Sequence, residues 1–153
     1  MIRVATSKDA SDLEQIAGDA YSKYLSILVV PPDPLFLDYG QVSQKGDTYV
    51  LQIAGEVCGM VTFTLENDVV VLRNLALKTK YQGRGYGRLL AEHVEQQALA
   101  KGITTVELWT REEMDDNINF YVSLGYDITH TERAQDCSRV FFRKILTRAK
   151  AAV

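Results

Sequence analysis

Cysteine, histidine and tryptophan are scarce in this chain of 153 residues, which holds two, two and one of them. Cys58 and Cys137 form no C-x-x-C pair and no cluster in sequence with His93 and His130, so a zinc site or a disulfide framework is not expected and no metal is assigned. No apolar run approaches the ~20 residues needed to span a bilayer. The opening stretch "MIRVATSKDASDLEQ" also lacks the basic-then-apolar order of a secretory signal, so the expectation is a cytoplasmic protein with no membrane partner. Neither sign of charge dominates. The net charge of −3 speaks against nucleic acid as the main partner. Repeats, low-complexity tracts and Gly/Ser linkers are lacking as well. What remains, 46% hydrophobic and 24% charged residues, suits a globular chain with a core of its own, and the length suits one domain over residues 1–153.

Proline is rare too, and its three copies, Pro31, Pro32 and Pro34, fall in one stretch, "YLSILVVPPDPLFLDYG". They forbid a continuous helix there, yet the stretch is too apolar for an ordinary surface loop. It reads as a wall. Before it, "IRVAT" is a strand candidate. Leu13, Ile16, Ala17, Ala20, Tyr21 and Tyr24 follow helical spacing behind a capping box from Thr6 to Asp9. After it come three strand-like runs, "TYVLQIA", "EVCGMVTFTLE" and "VVVLRNLAL", punctuated by Gly55 and by Glu66-Asn67-Asp68, an antiparallel meander. Tyr86, Leu90, Val94 and Ala98 then mark a helix ending at Lys101-Gly102. "TTVELWT" is strand, "MDDNINFYVSLG" is helix, and "YDITHTE" and "SRVFFRKIL" are strands. The order β-α-(α)-β-β-β-α-β-α-β-β predicts an α/β fold with a mixed, mostly antiparallel sheet of six to seven strands and helices on both faces.

Where the third meander strand hands over to its helix, Gly83, Gly85 and Gly87 crowd into five positions. Free N–H groups at a helix start, in a space that glycines keep clear of side chains, bind phosphate oxygens. Lys78, Lys80, Arg84 and Arg88 add positive charge. The alternative is a tight turn with solvated basic side chains. A dinucleotide fingerprint is not met, because Arg88 stands where its third glycine belongs, although Glu107 lies at about the distance of a ribose-binding acid. A Walker loop fails for want of Gly-Lys-Ser/Thr.

The spacing Gln82-x-x-Gly85-x-Gly87, with "LALKTKY" before it and "RLLAEHVEQQAL" after it, closely resembles the acetyl-CoA loop of the GNAT N-acetyltransferase superfamily. "NINFYVSLGY", from Asn117 to Tyr126, is similar to that superfamily's second signature, and the element order matches from Ile2 to about Leu146. The resemblance implies the acyl-CoA N-acyltransferase fold, with a strand splayed from its neighbour and pantetheine lying along its exposed edge, here Leu75, Ala76 and Leu77. It implies a pyrophosphate held by loop amides at Gln82, Gly83, Arg84, Gly85, Tyr86, Gly87 and Arg88. It also implies a catalytic role for Tyr121, a phenol that protonates or hydrogen-bonds a departing thiolate; the alternative for Tyr121 is a core residue beside Phe120 and Leu124.

The chain also departs from the family's pattern. Met114 stands where many members carry an asparagine that contacts the cofactor. Asn117, one turn before Tyr121, is the candidate to reach the cofactor instead, or else an ordinary helix amide. Where relatives often place a glutamate base, this chain offers Arg73, Asn74 and Trp109, with Glu112 and Glu113 close by, and no base is assigned. Cys58 and Cys137 are expected to be structural. The reaction expected is direct transfer from acetyl-CoA to a primary amine in a ternary complex. The partners are acetyl-CoA and an amine-bearing substrate, with a homodimer left open. Phe36, Asp38 and Tyr39 are candidates to line the acceptor pocket or to pack. The competing readings are a non-catalytic acyl-CoA sensor on the same fold and a nucleotide-binding oxidoreductase.

Overall fold

The computed structural model describes residues 1–28, 30–135 and 137–147. In chain order its elements are β1 (Ile2–Val4), α1 (Ala10–Tyr21), α2 (Tyr39–Val42), β2 (Thr48–Ile53), β3 (Glu56–Glu66), β4 (Val69–Leu77), α3 (Tyr86–Ala100), β5 (Thr105–Arg111), α4 (Asp115–Ser123), β6 (Asp127–Glu132) and β7 (Arg139–Ile145). The chain enters α1 through the expected capping box: the Thr6 N–H donates to Asp9 Oδ2 at 2.8 Å. Arg3 grips the same carboxylate with two N–H bonds, of 2.8 and 2.9 Å.

The strands form one sheet in the order β1-β2-β3-β4-β5-β7-β6. β1 pairs antiparallel with β2 across the intervening α1 and α2, and antiparallel hairpins join β2 to β3 and β3 to β4. Their tight turns place Ala54 and Gly55, and then Asn67 and Asp68, at positive φ, as two-residue hairpin turns require. On one face α1 and α2 cover Val50, Met60 and Ala76. On the other, Leu90 and Val94 of α3 and Tyr121 of α4 cover Val61, Val70, Val106 and Phe142. This is the mixed sheet with two helical layers expected from the sequence.

Two irregularities shape the centre of the sheet. The pair β4–β5 is its parallel one, and it holds at Val70–Val106 and Val71–Glu107. Past those residues β4 stays paired with β3 and β5 with β7, so the carboxyl ends of β4 and β5 part and leave a cleft. The second is a bulge: Thr62 faces Asn74 but Phe63 faces Leu72, which makes Arg73 an extra residue in β4. It switches the faces of the strand. Val70 and Leu72 point to the α3 side and so do Leu75 and Leu77, whereas Asn74 and Ala76 point toward α1.

Candidate active site

Two cavities open on the cleft between β4 and β5, one of about 510 Å³ and one of about 460 Å³. Tyr21, Leu75 and Asn117 line both, so the cavities meet at these three side chains. Parallel strands commonly present ligands at their carboxyl ends, where the chain parts.

The smaller cavity is bounded by the end of β4, at Leu75, Ala76 and Leu77, by Gln82, Gly83, Gly85, Gly87 and Arg88, and by Asn117, Phe120 and Leu124 of α4. Gly83 and Gly85 adopt φ of +75° and +89°, a conformation that L side chains resist. Their turn leaves the N–H groups from Gly83 to Arg88 donating to no other described residue. Successive free N–H groups at a helix start form an anion-binding concavity. Gly87 is needed for a different reason, since a Cβ there would stand 3.0 Å from Phe120 Cζ; α3 and α4 touch at this point.

Not every expected loop residue faces the cavity. The Arg84 guanidinium lies over the Tyr81 ring, 6.0 Å from its centroid, and Tyr86 meets the same ring edge-on, so both contribute backbone N–H groups rather than side chains. Lys78 and Lys80 are held by Glu56 at 3.2 and 3.1 Å and are not turned to the cavity. The Glu56 carboxyl also accepts from the Tyr81 hydroxyl at 2.8 Å, and Tyr81, Lys80 and Lys78 together pull it down to about 2. Of the four basic residues singled out, Arg88 lines the cavity. Gln82 donates through Nε2 to the Leu77 carbonyl at 3.0 Å, tying the loop to the end of β4.

In the larger cavity the walls are Pro32, Asp33, Pro34 and Leu37 on one side and Arg73, Asn74, Trp109, Thr110, Arg111 and Arg139 on the other, with Tyr121 between. The proline-rich stretch is therefore a wall, as expected, but not through the residues first considered. Phe36 is 72% exposed. Asp38 caps α2 by accepting from the N–H groups of Gly40 and Gln41, and Tyr39 is buried with its hydroxyl on the Pro34 carbonyl. Glu112 is spent on Arg133 at 2.9 Å, and neither it nor Glu113 reaches the cavity.

Tyr121 is buried, and its hydroxyl has no hydrogen-bond partner among the described residues. Burial pushes its phenol well above the ordinary value, so it stays protonated. Asn117 Nδ2 donates to Thr110 Oγ1 at 3.4 Å, which fixes the amide where the cavities meet. Tyr21 was read from sequence as one residue of an apolar stripe. Its hydroxyl instead donates to Asn74 Oδ1 at 2.6 Å, with the Leu75 carbonyl at 3.3 Å. The available signal was the hydroxyl itself, since a buried tyrosine needs a partner.

A parted parallel pair with a free-amide turn at one end of the cleft and a second, walled cavity at the other is the arrangement of an acyl-CoA N-acyltransferase fold. The backbone bears this out. It superposes on the ribosomal-protein-S18-alanine N-acetyltransferase of Escherichia coli with a TM-score of 0.77 at 20% identity, covering 96% of this chain and 94% of that one. The PaiA N-acetyltransferase of Thermoplasma acidophilum, solved in complex with coenzyme A, gives 0.75 at 15% identity, with 95% and 98% covered.

The chain belongs to the acetyltransferase (GNAT) family, whose model matches residues 11–126. By sequence it is 30% identical over 88 residues to the [ribosomal protein bS18]-alanine N-acetyltransferase of Escherichia coli strain K12. That match takes in 56% of this chain and spans 60% of the relative's length.

Proposed function

We propose that residues 1–153 act as one N-acetyltransferase domain that moves the acetyl group of acetyl-CoA directly to a primary amine. The observation that carries this reading is the meeting of two cavities at Tyr21, Leu75 and Asn117, which lets a donor and an acceptor touch from opposite sides. The donor takes the smaller cavity. Its pyrophosphate sits on the N–H groups from Gly83 to Arg88, with Arg88 alongside, and its pantetheine follows Leu75, Ala76 and Leu77 along the edge that β5 leaves unpaired. Asn117 stands beside the thioester.

The amine enters from the larger cavity and attacks the thioester carbonyl carbon. A C–N bond forms, the C–S bond breaks, and coenzyme A departs as thiolate. The Tyr121 phenol donates a hydrogen bond to that sulfur. Burial disfavours its phenolate, so the proton that the thiolate finally takes is the one the amine nitrogen gives up, relayed through the phenol. The products are an acetamide and the free thiol, with no covalent enzyme intermediate. Holding both reactants in one cleft supplies much of the rate.

The test follows thiol release from acetyl-CoA across a panel of amines, beside calorimetry with acetyl-CoA and NAD. Acetyl-CoA binding with turnover on at least one amine supports the reading. Binding with no turnover on any amine favours the sensor, and tight NAD binding without acetyl-CoA binding sinks both.

A further inference from the structure

Arg111 and Arg139 stand directly opposite each other on β5 and β7, and both line the larger cavity. Like charges facing across a strand pair repel, and Arg111 is only 6% exposed. Its guanidinium donates through Nη1 to Cys137 Sγ at 3.3 Å and through Nη2 to the Val30 carbonyl, which are uncharged groups or weak acceptors. Arg139 lies over the Trp109 ring, 4.4 Å from the centroid, and its Nε is buried without a partner among the described residues. No carboxylate of the described residues pairs with either arginine. Asp33 and Asp47 line the same cavity without reaching them. A buried cation without a counter-charge is costly. The buried Arg111 and the half-buried Arg139, adjacent, open to a cavity and without a carboxylate partner among the described residues, form a place for an anion.

We infer that Arg111 and Arg139 hold a carboxylate or phosphate group of the acceptor, so that the preferred acceptor is a small amine that carries an anion on the same molecule. Guanidinium forks match both groups in geometry. The position fits a reacting molecule rather than a stray ion. Arg111 directly follows Thr110, whose Oγ1 receives the Asn117 amide at the point where the two cavities meet. An anion on the pair therefore sets its amine toward the thioester, a few bonds away. A cavity of about 510 Å³ suits a small molecule, with Trp109 and Leu37 to cover its apolar part.

The inference rests on the N-acetyltransferase reading for the reaction, but its binding can be measured without turnover. Matched acceptors are compared by kcat/KM: amino acids against their amides, and aminoalkyl phosphates against the corresponding amino alcohols. Arg139→Gln is made beside Arg111→Lys, because loss of the Val30 and Cys137 contacts by a shorter side chain at 111 risks the fold. Calorimetry with the N-acetylated anionic products and their neutral counterparts reads the same pair independently of chemistry.

The expected result is an anionic acceptor, of the carboxylate or the phosphate series, favoured roughly ten- to a hundredfold over its neutral partner, as befits a charge-assisted hydrogen bond. The preference collapses toward one in Arg139→Gln while acetyl-CoA binding is kept. Neutral acceptors used equally well, or a preference that Arg139→Gln leaves intact, overturns the inference while the acetyltransferase reading stands. Should no amine turn over, that reading fails, and the calorimetric preference for anionic over neutral products then decides the anion site by its presence or absence.

Discussion

The Tyr21 hydroxyl donates to Oδ1 of Asn74 at 2.6 Å, joining the last residue of α1 to the β4 residue just past the bulge. Tyr21→Phe strips a buried acceptor of its partner, which costs about 1–3 kcal/mol. The midpoint of urea unfolding should fall accordingly. Tyr21→Phe combined with Asn74→Leu should recover part of the loss, because no unsatisfied amide is then buried; recovery that fails would place the cost elsewhere, in packing.

Tyr121→Phe removes the only hydroxyl assigned to the leaving thiolate. Turnover, followed as thiol release, should drop about a hundredfold with acetyl-CoA affinity unchanged. Burial raises the phenol's pKa, so the group is protonated below that raised value and lost only above it. The variant should therefore be slower by the same factor at pH 6 and at pH 9. Equal rates for the two proteins would remove Tyr121 from its role.

Gly85 starts α3 at φ +89°. Alanine in that left-handed conformation costs about 1–2 kcal/mol, and relaxing the strain turns the free N–H groups away from their common focus. Gly85→Ala should weaken acetyl-CoA binding by calorimetry more than it lowers thermal stability. A variant that loses stability yet binds the donor normally would show that the glycine serves the turn alone.

The Asp9 carboxyl is held below its usual value, chiefly by the Arg3 hydrogen bonds and also by the Thr6 N–H. A depressed folded pKa stabilises above the unfolded value of ~3.9 and is lost as pH falls through the folded one. The melting temperature should therefore be flat in this contribution between pH 7 and about 5 and should decline below about 4. In Asp9→Asn that acid decline should be shallower. An unchanged acid slope would mean that other carboxylates carry it.

What the sequence made legible was what depends on neighbours along the chain. The periodicity of α1 and α3, the turns at Gly55 and Asn67-Asp68 and the glycine turn all follow from local patterns. The cavity walls did not, because they are set across space. Phe36 and Tyr39 belong to the right segment, but its 3-10 turn (Asp33–Leu35) and the Asp38 cap decide which side chains face inward. Lys80 and Arg84 looked alike as free cations until Glu56 and the Tyr81 ring came within reach. Arg111 and Arg139 lie far apart in the chain and become neighbours only through the pairing of β5 with β7.

The extra residue at Arg73 makes β4 behave like a reading frame. Upstream of it even-numbered positions feed one helical layer, and downstream odd-numbered ones do. Were the bulge straightened so that Arg73 took a place in the regular ladder, everything after it would shift by one: Asn74 and Ala76 would be delivered to the layer that now receives Leu75 and Leu77, and a polar amide would be pressed into the apolar core. The bulge is thus what keeps the Asn74 amide out of the apolar layer, and removal of Arg73 itself should leave every face of the strand as it stands.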